Sequence, residues 1–345
     1  MSGHDSLGPM AEWKAGRVSS WTALSPTLAL FRVMPEAGTP FPSYAAGQYI
    51  ALRRDSCKLT RRVKDAAGRV HYVPDLDEGG VQRLGPVAHS YSISSAPCET
   101  EEHGWLEFYV VLEVTEEQFP GRLTESLFRI DPPRDDQVGY MNRIAGDFTL
   151  DKRRGEARSV VMVGTGTGLA PFAGMLKQLD HEAAQGRRDG VRYTLLHANR
   201  TTAELAYHQR LQEIERAGRL DFVYLASVSR PSRQDEQDPR LGRGRANNVL
   251  RLLFGLPTRE EEDLKLARQS GGDVALAEAA LARSVRPELP AHVSAEGLRA
   301  RLVPGETLVL TCGNPSSMAD IRTVSEAAGA RFEKEDWKLV LPAKA

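Results

Sequence analysis

A glycine-rich stretch, VGTGTGLAPF, joins a β-branched run to an amphipathic one at residues 163–172. Pro171 stands where the first turn of a helix tolerates proline, and the apolar residues that follow recur at helical spacing: Phe172, Met175, Leu176 and Leu179. The stretch therefore predicts a strand, a tight turn and a helix. Such a turn lets a ligand approach the backbone beside N–H groups that favour anions.

The glycines of this turn do not follow the common dinucleotide-binding fingerprint, because Leu169 stands where its last glycine would be. An ordinary strand-to-helix turn is the alternative interpretation. Three glycines within five residues exceed what such a turn needs. We therefore predict a ligand-binding loop made of Gly164, Thr165, Gly166, Thr167 and Gly168.

The pattern of predicted secondary structure changes at about residue 153. Earlier residues form short strand-like segments separated by proline, glycine and charged turns, which predicts a small antiparallel β-barrel. Later residues alternate strands with helices, which predicts a parallel α/β sheet. The expected organisation is a flexible N-terminus at 1–15, a barrel domain at 16–152 with a charged insertion at about 53–88, and an α/β domain at 153–345 with a helical insertion at about 256–300.

Composition excludes several classes of protein. The 45 basic and 46 acidic residues nearly cancel, which argues against a nucleic-acid or membrane-surface partner. No apolar run reaches the length of a membrane span and no signal peptide is evident, so a cytoplasmic protein is expected. The cysteines, Cys57, Cys98 and Cys312, form no CxxC pair, so no metal or iron–sulfur site is expected.

Seven short segments occur in a fixed order: HSYSISSAP, GRLTESL, AGDFTLD, VGTGTGLAPF, HANR, VSR and LTCGNP. Each is weak alone, but as an ordered set they resemble the ferredoxin–NADP reductase family over about residues 45–337. The resemblance implies FAD in the barrel domain and NADP(H) on the glycine loop. It also implies hydride transfer from NADPH to FAD, followed by single-electron transfer to a separate ferredoxin or flavodoxin.

The segment HSYSISSAP supplies the expected flavin contacts. By resemblance, Tyr91 stacks on the isoalloxazine ring and Ser92 contacts its N5 edge, with Ile93 and Ser94 in the same motif. A core tyrosine among surface serines is the alternative. The family has an arginine where this chain has His89, so either FAD binds more weakly there or another arginine substitutes.

The segment GRLTESL predicts a helix start near a second phosphate contact. Gly121, Leu123 and Thr124 are expected to face the FAD pyrophosphate, with backbone N–H groups as donors. A simple helix cap is the alternative, and it would use the same donors.

Selectivity for NADPH requires cations near the 2′-phosphate of the coenzyme, and arginine suits this role best. Arg200 and Arg230 each end a predicted strand, where ligands of open α/β sheets bind. Arg243 and Arg245 follow in a glycine-containing loop. The resemblance assigns the phosphate to Arg200, Arg230 and one of the last two; surface solvation is the alternative.

The segment LTCGNP places Cys312 at a strand end and Gly313 in the turn after it. By resemblance Cys312 borders the site of hydride transfer; a small buried hydrophobe is the alternative. Trp337 lies where many family members have an aromatic residue over the other face of the flavin. Ordinary packing explains a tryptophan equally well.

Two further functions remain open. The chain could be the reductase component of an oxygenase system, which shares the chemistry and differs in the acceptor. It could also be a non-catalytic protein that binds flavin or nucleotide for regulation.

Overall fold

The computed structural model describes residues 12–66, 68–114, 120–132 and 134–335. These residues form two compact units that divide between Gly146 and Asp147. Within the described residues, no helix has the length and hydropathy of a membrane span.

The first unit contains a six-stranded antiparallel sheet in the order β6-β3-β8-β1-β2-β7. A separate ribbon, β4–β5, lies within the insertion expected at 53–88. The described elements are β1 (Trp13–Ser25), β2 (Leu28–Pro35), β3 (Tyr49–Lys58), β4 (Thr60–Lys64), β5 (Val70–Pro74), β6 (Leu84–Ser92), α1 (Pro97–His103), β7 (Leu106–Val111), α2 (Arg122–Phe128) and β8 (Gln137–Ala145).

Alternating side chains build the core of this unit. Phe31 and Val33 on β2 are buried with Phe108 on β7, and the Phe31 and Phe108 ring centroids lie 5.2 Å apart. Burying a side chain of this size contributes about 1.5–3 kcal/mol. The predicted antiparallel fold of the N-terminal part is confirmed.

The second unit contains a six-stranded sheet in the order β12-β11-β10-β9-β13-β14, with every pair of strands parallel. The predicted α/β fold is therefore confirmed. The described elements are α3 (Leu150–Arg153), β9 (Ser159–Thr165), α4 (Ala170–Ala184), β10 (Arg192–Asn199), α5 (His208–Ala217), β11 (Asp221–Val228), β12 (Gly242–Arg243), α6 (Ala246–Leu253), α7 (Arg259–Ser270), α8 (Val274–Arg283), α9 (Ala295–Arg301), β13 (Thr307–Cys312), α10 (Pro315–Ala327) and β14 (Arg331–Lys334).

The order of the strands marks one place for a ligand. The chain runs from β9 outward through β10, β11 and β12, and then returns to place β13 on the other side of β9. Ligands of open α/β sheets bind at the carboxyl ends of the strands where the order reverses in this way. The loops that follow β9 and β13 therefore define the candidate site.

Candidate functional site

The loops after β9 and β13 contact each other backbone to backbone. A Cβ atom added to Gly168 would overlap the carbonyl group of Cys312 and would lie 2.6 Å from the Gly313 Cα. Gly313 has φ +128°, and a Cβ there would overlap Thr165. The backbone N–H of Asn314 donates to Thr165 Oγ1 at 2.9 Å. Gly168 and Gly313 are thus required by packing between the two loops.

Gly166 differs from the other glycines of this turn because the space beside its Cα is empty. Its φ is +55°, and an added Cβ would meet no heavy atom within 4 Å. Gly164 packs instead against Leu169, whose Cα would lie 3.1 Å from an added Cβ, and Thr167 is half-buried in the same turn. Of the glycines in this turn, Gly166 leaves the backbone accessible to a ligand.

A cavity of about 870 Å³ lies at this edge of the sheet. Its volume is in the range of cofactor sites. The turn after β9, the end of β10 and the starts of α6, α7 and α10 contribute to its lining, through Gly166, Arg200, Arg245, Arg259 and Asn314 among others.

Three arginines line this cavity, and each contacts a carboxylate. Arg200 pairs with Glu204 through two hydrogen bonds of 3.0 and 2.6 Å. Arg245 lies 3.4 Å from Glu260 and its side chain is 70% exposed. Arg259, which the sequence did not single out, lies 2.9 Å from a carboxylate oxygen of Asp263.

The other two candidate arginines lie outside the cavity lining. Arg230 is exposed, and its backbone N–H donates to the Arg200 carbonyl at 2.8 Å. Arg243 donates to the Glu236 carbonyl at 2.8 Å and lies 3.5 Å from a carboxylate oxygen of Glu288. The structure thus brings Arg200 and Arg245 together and holds Arg243 in a separate ion pair.

A buried ion pair joins α6 to α10 beside the cavity. Arg251 donates to Asp320 through bonds of 2.8 and 2.6 Å, and Asn247 donates to the same carboxylate at 2.8 Å. Burial alone would raise the pKa of Asp320, but the hydrogen bonds from Arg251 and Asn247 outweigh it and lower that pKa. Asp320 is therefore ionised and already paired.

Cys312 donates a hydrogen bond to a buried carboxylate. Its Sγ lies 2.9 Å from Glu335 Oε2, and both residues are buried. Burial and then the neighbouring Glu335 charge raise the pKa of Cys312, so the side chain stays a neutral thiol. The contact of Glu335 with Cys312 was not predicted from the sequence, although Glu335 directly follows β14 in the segment FEKE. Trp337 lies outside the described residues.

The candidate flavin contacts lie at the end of β6. Tyr91 is half-buried and packs edge-on against Phe108, with ring centroids 6.5 Å apart, and burial raises its pKa. Ser92 is buried beside it. Ile93 and Ser94 are fully buried, and their backbone N–H groups donate within the unit, to Gln48 and Glu107 carbonyls. Tyr91 is thus both a core residue and partly accessible.

A cation lies near His89. Burial lowers the pKa of His89, and the nearby Arg122 charge lowers it further, so the imidazole is neutral at pH 7. Arg122 opens α2 directly after Gly121, where a helix start was predicted. Leu123 is buried and Thr124 Oγ1 donates to the Gly121 carbonyl at 3.1 Å. Arg122 therefore places a positive charge near His89.

A buried histidine lies on β10, in the segment HANR. His197 Nδ1 lies 3.1 Å from Tyr224 Oη, which lies 3.0 Å from His208 Nδ1. His197 Nε2 has no hydrogen-bond partner among the described residues. Burial, with a smaller contribution from His208, lowers the pKa of His197 to about 3.

This histidine predicts a loss of stability in acid. Below its ordinary pKa of 6.5 the unfolded chain binds a proton that folded His197 binds only near pH 3. The free energy of unfolding should therefore fall by about 1.4 kcal/mol per pH unit through this window as pH decreases. We expect the free energy of urea unfolding of the wild type to exceed that of His197→Gln by an amount that shrinks by about 2 kcal/mol between pH 6.5 and 4.5. His181→Gln, at an exposed position on α4, is the matched control. If the stability curves of the wild type and His197→Gln stay parallel over this pH range, the assignment is contradicted.

Comparisons with known proteins agree with this architecture. The family model for the oxidoreductase NAD-binding domain matches residues 162–262. A search of curated proteins found no significant match. In the described part of the chain, no group of three His, Cys, Asp or Glu residues is arranged to hold a metal ion.

Solved structures match nearly the whole chain. A ferredoxin NADP⁺ reductase from Neisseria gonorrhoeae, with bound FAD and NADP, is 18% identical with a TM-score of 0.53, over 95% of this chain and 100% of that one. The cytochrome b5 reductase domain of Ulva prolifera nitrate reductase is 15% identical with a TM-score of 0.53, over 94% and 97%. An Amycolatopsis cytochrome P450 reductase is 17% identical with a TM-score of 0.53, over 95% and 70%. At these identities the comparisons establish the two-domain fold, which confirms the resemblance at that level.

Proposed function

We propose that this chain, which has the two-domain fold of ferredoxin–NADP reductases, is a cytoplasmic FAD-dependent oxidoreductase that uses NADPH and reduces a separate protein. The observation that carries the proposal is the cavity after β9 and β13, where an accessible Gly166 and three arginines line one space. A family model for NAD-binding oxidoreductase domains matches residues 162–262, which include Gly166 and the three arginines.

The cavity suits a phosphorylated dinucleotide. Gly166 leaves room for a pyrophosphate against the backbone, and Arg200 and Arg245 supply positive charge at the strand ends. NAD-specific sites use a carboxylate to accept a hydrogen bond from the ribose. Here the lining carboxylates are already engaged. Glu260 accepts a bond from Asn248, Asp320 accepts bonds from Arg251, and Asp263 pairs with Arg259 at 2.9 Å. The arrangement therefore favours NADPH over NADH.

The first unit offers matching groups for FAD. Tyr91 presents a partly accessible ring, and Ser92 lies next to it on β6. Arg122, near His89, supplies the charge that a flavin pyrophosphate needs. His89 and Gly121 belong to separate segments, and each segment can contact a phosphate. Two phosphate contacts suit the pyrophosphate of FAD better than the single phosphate of FMN. We assign FAD to this unit and NADPH to the second.

FAD, when bound, supplies hydride chemistry and the conversion to single-electron transfer. The residues of the chain position the reactants and exclude side reactions. Cys312 contributes a small, uncharged side chain, and Glu335 fixes its thiol by accepting its proton in a hydrogen bond. Hydride transfer needs no general base, so the reaction places no demand on a titrating residue.

The acceptor we propose is a ferredoxin or flavodoxin. An oxygenase component is the second candidate, because one of the structural neighbours is a cytochrome P450 reductase. Reduction rates of the FAD-loaded chain with ferredoxin, flavodoxin and an oxygenase component would separate these acceptors. A chain that binds FAD and yet cannot reduce an artificial dye with NADPH would instead be a regulator, and both redox proposals would fail.

Arg200 provides a test of the coenzyme preference. Arg200→Ala should raise the KM for NADPH about tenfold to a hundredfold, because it removes a charge-assisted contact to the 2′-phosphate. The KM for NADH should change less than about twofold, since NADH has no such phosphate. Arg216→Ala, on the exposed face of α5, is the control. Equal losses with both coenzymes would mean that Arg200 serves the pyrophosphate or the fold through Glu204.

A further inference from the structure

The helices α7 and α8, which we call the inserted hairpin (Arg259–Arg283), form one wall of the cavity. Arg259, Glu260 and Asp263 on α7 and Ala280 on α8 line it. The family-model match ends at residue 262, within the first turns of α7. Most of the hairpin therefore lies beyond the segment that the family model describes.

The start of α7 is fastened to α6. Asn248 accepts a hydrogen bond from the Arg259 backbone N–H at 2.8 Å and donates to Glu260 at 2.7 Å. Arg251 donates to the Pro257 carbonyl at 3.1 Å and to Glu262 at 2.8 Å. These bonds hold the first turn of α7 in a fixed position against the cavity.

Two carboxylates hold the Arg259 side chain in place and leave some of its N–H groups available to a ligand. Its guanidinium lies 2.9 Å from Asp263 and 3.5 Å from Asp320, and the side chain remains 46% exposed. Asp320 already accepts two bonds from Arg251, at 2.8 and 2.6 Å, and one from Asn247, at 2.8 Å. A guanidinium has five N–H donors, so two carboxylate contacts leave donors for a ligand.

In this wall of the cavity, two carboxylates are buried and two arginines are exposed. Glu260 and Asp320 are 10% and 6% exposed, whereas Arg245 and Arg259 are 70% and 46% exposed. The buried carboxylates therefore position the cations, and the cations are what a ligand in the cavity meets. Asp263 is also exposed, but it is paired with Arg259 one turn away on the same helix.

We infer that Arg259 binds the 2′-phosphate of NADPH, so that the inserted hairpin supplies a coenzyme-selecting contact in addition to the arginines at the strand ends. The inference rests on the proposed use of NADPH. It accounts for an arginine that lines the cavity and has spare donors. Arg243, which was expected as an alternative to Arg245, pairs with Glu288 and lies outside that lining.

The test is calorimetric binding of 2′,5′-ADP and of 5′-ADP to the full chain, which needs neither flavin turnover nor an acceptor. Arg259→Ala should weaken 2′,5′-ADP about tenfold to a hundredfold and 5′-ADP less than about twofold. Arg268→Ala is the matched control, because Arg268 lies on the same helix, pairs with Glu278 and is outside the cavity lining. It should change neither affinity.

The outcomes separate this inference from the proposed function. If the wild type prefers 2′,5′-ADP and Arg259→Ala keeps that preference, the inference is overturned and NADPH use stands. A wild type without the preference would refute NADPH use and the inference together. Should Arg259→Ala lower the thermal midpoint, Arg259→Lys keeps the charge beside Asp263 and Asp320. Arg259→Lys should lower the affinity for 2′,5′-ADP several-fold and leave the affinity for 5′-ADP unchanged. An unchanged ratio of these two affinities would overturn the inference.

Discussion

Gly168→Ala is expected to lower the thermal midpoint of the second unit by about 10 °C. The added methyl group would overlap the Cys312 carbonyl and lie 2.6 Å from the Gly313 Cα, and both contacts are with backbone. The two loops would have to separate at a cost on the order of 3 kcal/mol, which corresponds to a shift of this size in a unit of this length. Differential scanning calorimetry measures the effect directly.

Two other glycines serve as controls for Gly168. Gly186 has φ +81° and open space around it, so Gly186→Ala tests the strain of a left-handed backbone alone, about 1–2 kcal/mol. Gly166→Ala carries similar strain but also puts a methyl group into the cavity, so it should weaken nucleotide binding with a smaller loss of stability. A Gly168→Ala midpoint equal to that of Gly186→Ala would contradict the close packing of the two loops.

Cys312→Ala is expected to slow reduction of the bound flavin by NADPH about a hundredfold. Rates of transfer depend on the placement of the reacting rings, and a misplacement of about 1 Å can have this effect. The substitution removes the thiol that donates to Glu335 at 2.9 Å and leaves a buried carboxylate without that bond. Stopped-flow absorbance follows the reduction in a single turnover, while the affinity for NADP⁺ should change little.

The controls for Cys312 separate kinetics from stability. Cys312→Ser keeps a donor of nearly the same size, so its rate should be closer to that of the wild type. Cys57→Ala removes another fully buried cysteine, in the first unit, and should lower stability without slowing reduction per flavin-loaded molecule. If Cys312→Ala behaves in the same way as Cys57→Ala, the role of Cys312 is packing.

The fold could be predicted because its signals are local. The β-branched run at β9, the glycine turn and the apolar spacing of α4 lie within one continuous segment, and each strand–helix alternation after it has its own periodicity. The helix start at Arg122 and the strand end at Cys312 followed from the same kind of evidence.

The parts of the site that were missed depend on distant residues. Arg259 lies in a charged segment that predicts only a helix, and its place in the cavity depends on Asn248 and Asp320. Glu335 meets Cys312 because β14 pairs with β13, a register that no local pattern indicates. Likewise, no feature of the segment LGRGRANN shows that Arg243 is paired with Glu288 while Arg245 lines the cavity.

In the function we propose, the chain binds FAD and the flavin accepts hydride from NADPH. The most direct measurement is an anaerobic titration of the FAD-loaded chain with NADPH, followed by the visible flavin absorbance, with NADH in parallel. We expect the flavin absorbance to disappear in stoichiometric proportion to NADPH, and NADH to require a far higher concentration. A chain that retains no FAD, or whose flavin stays oxidised in excess NADPH, would contradict the proposed function.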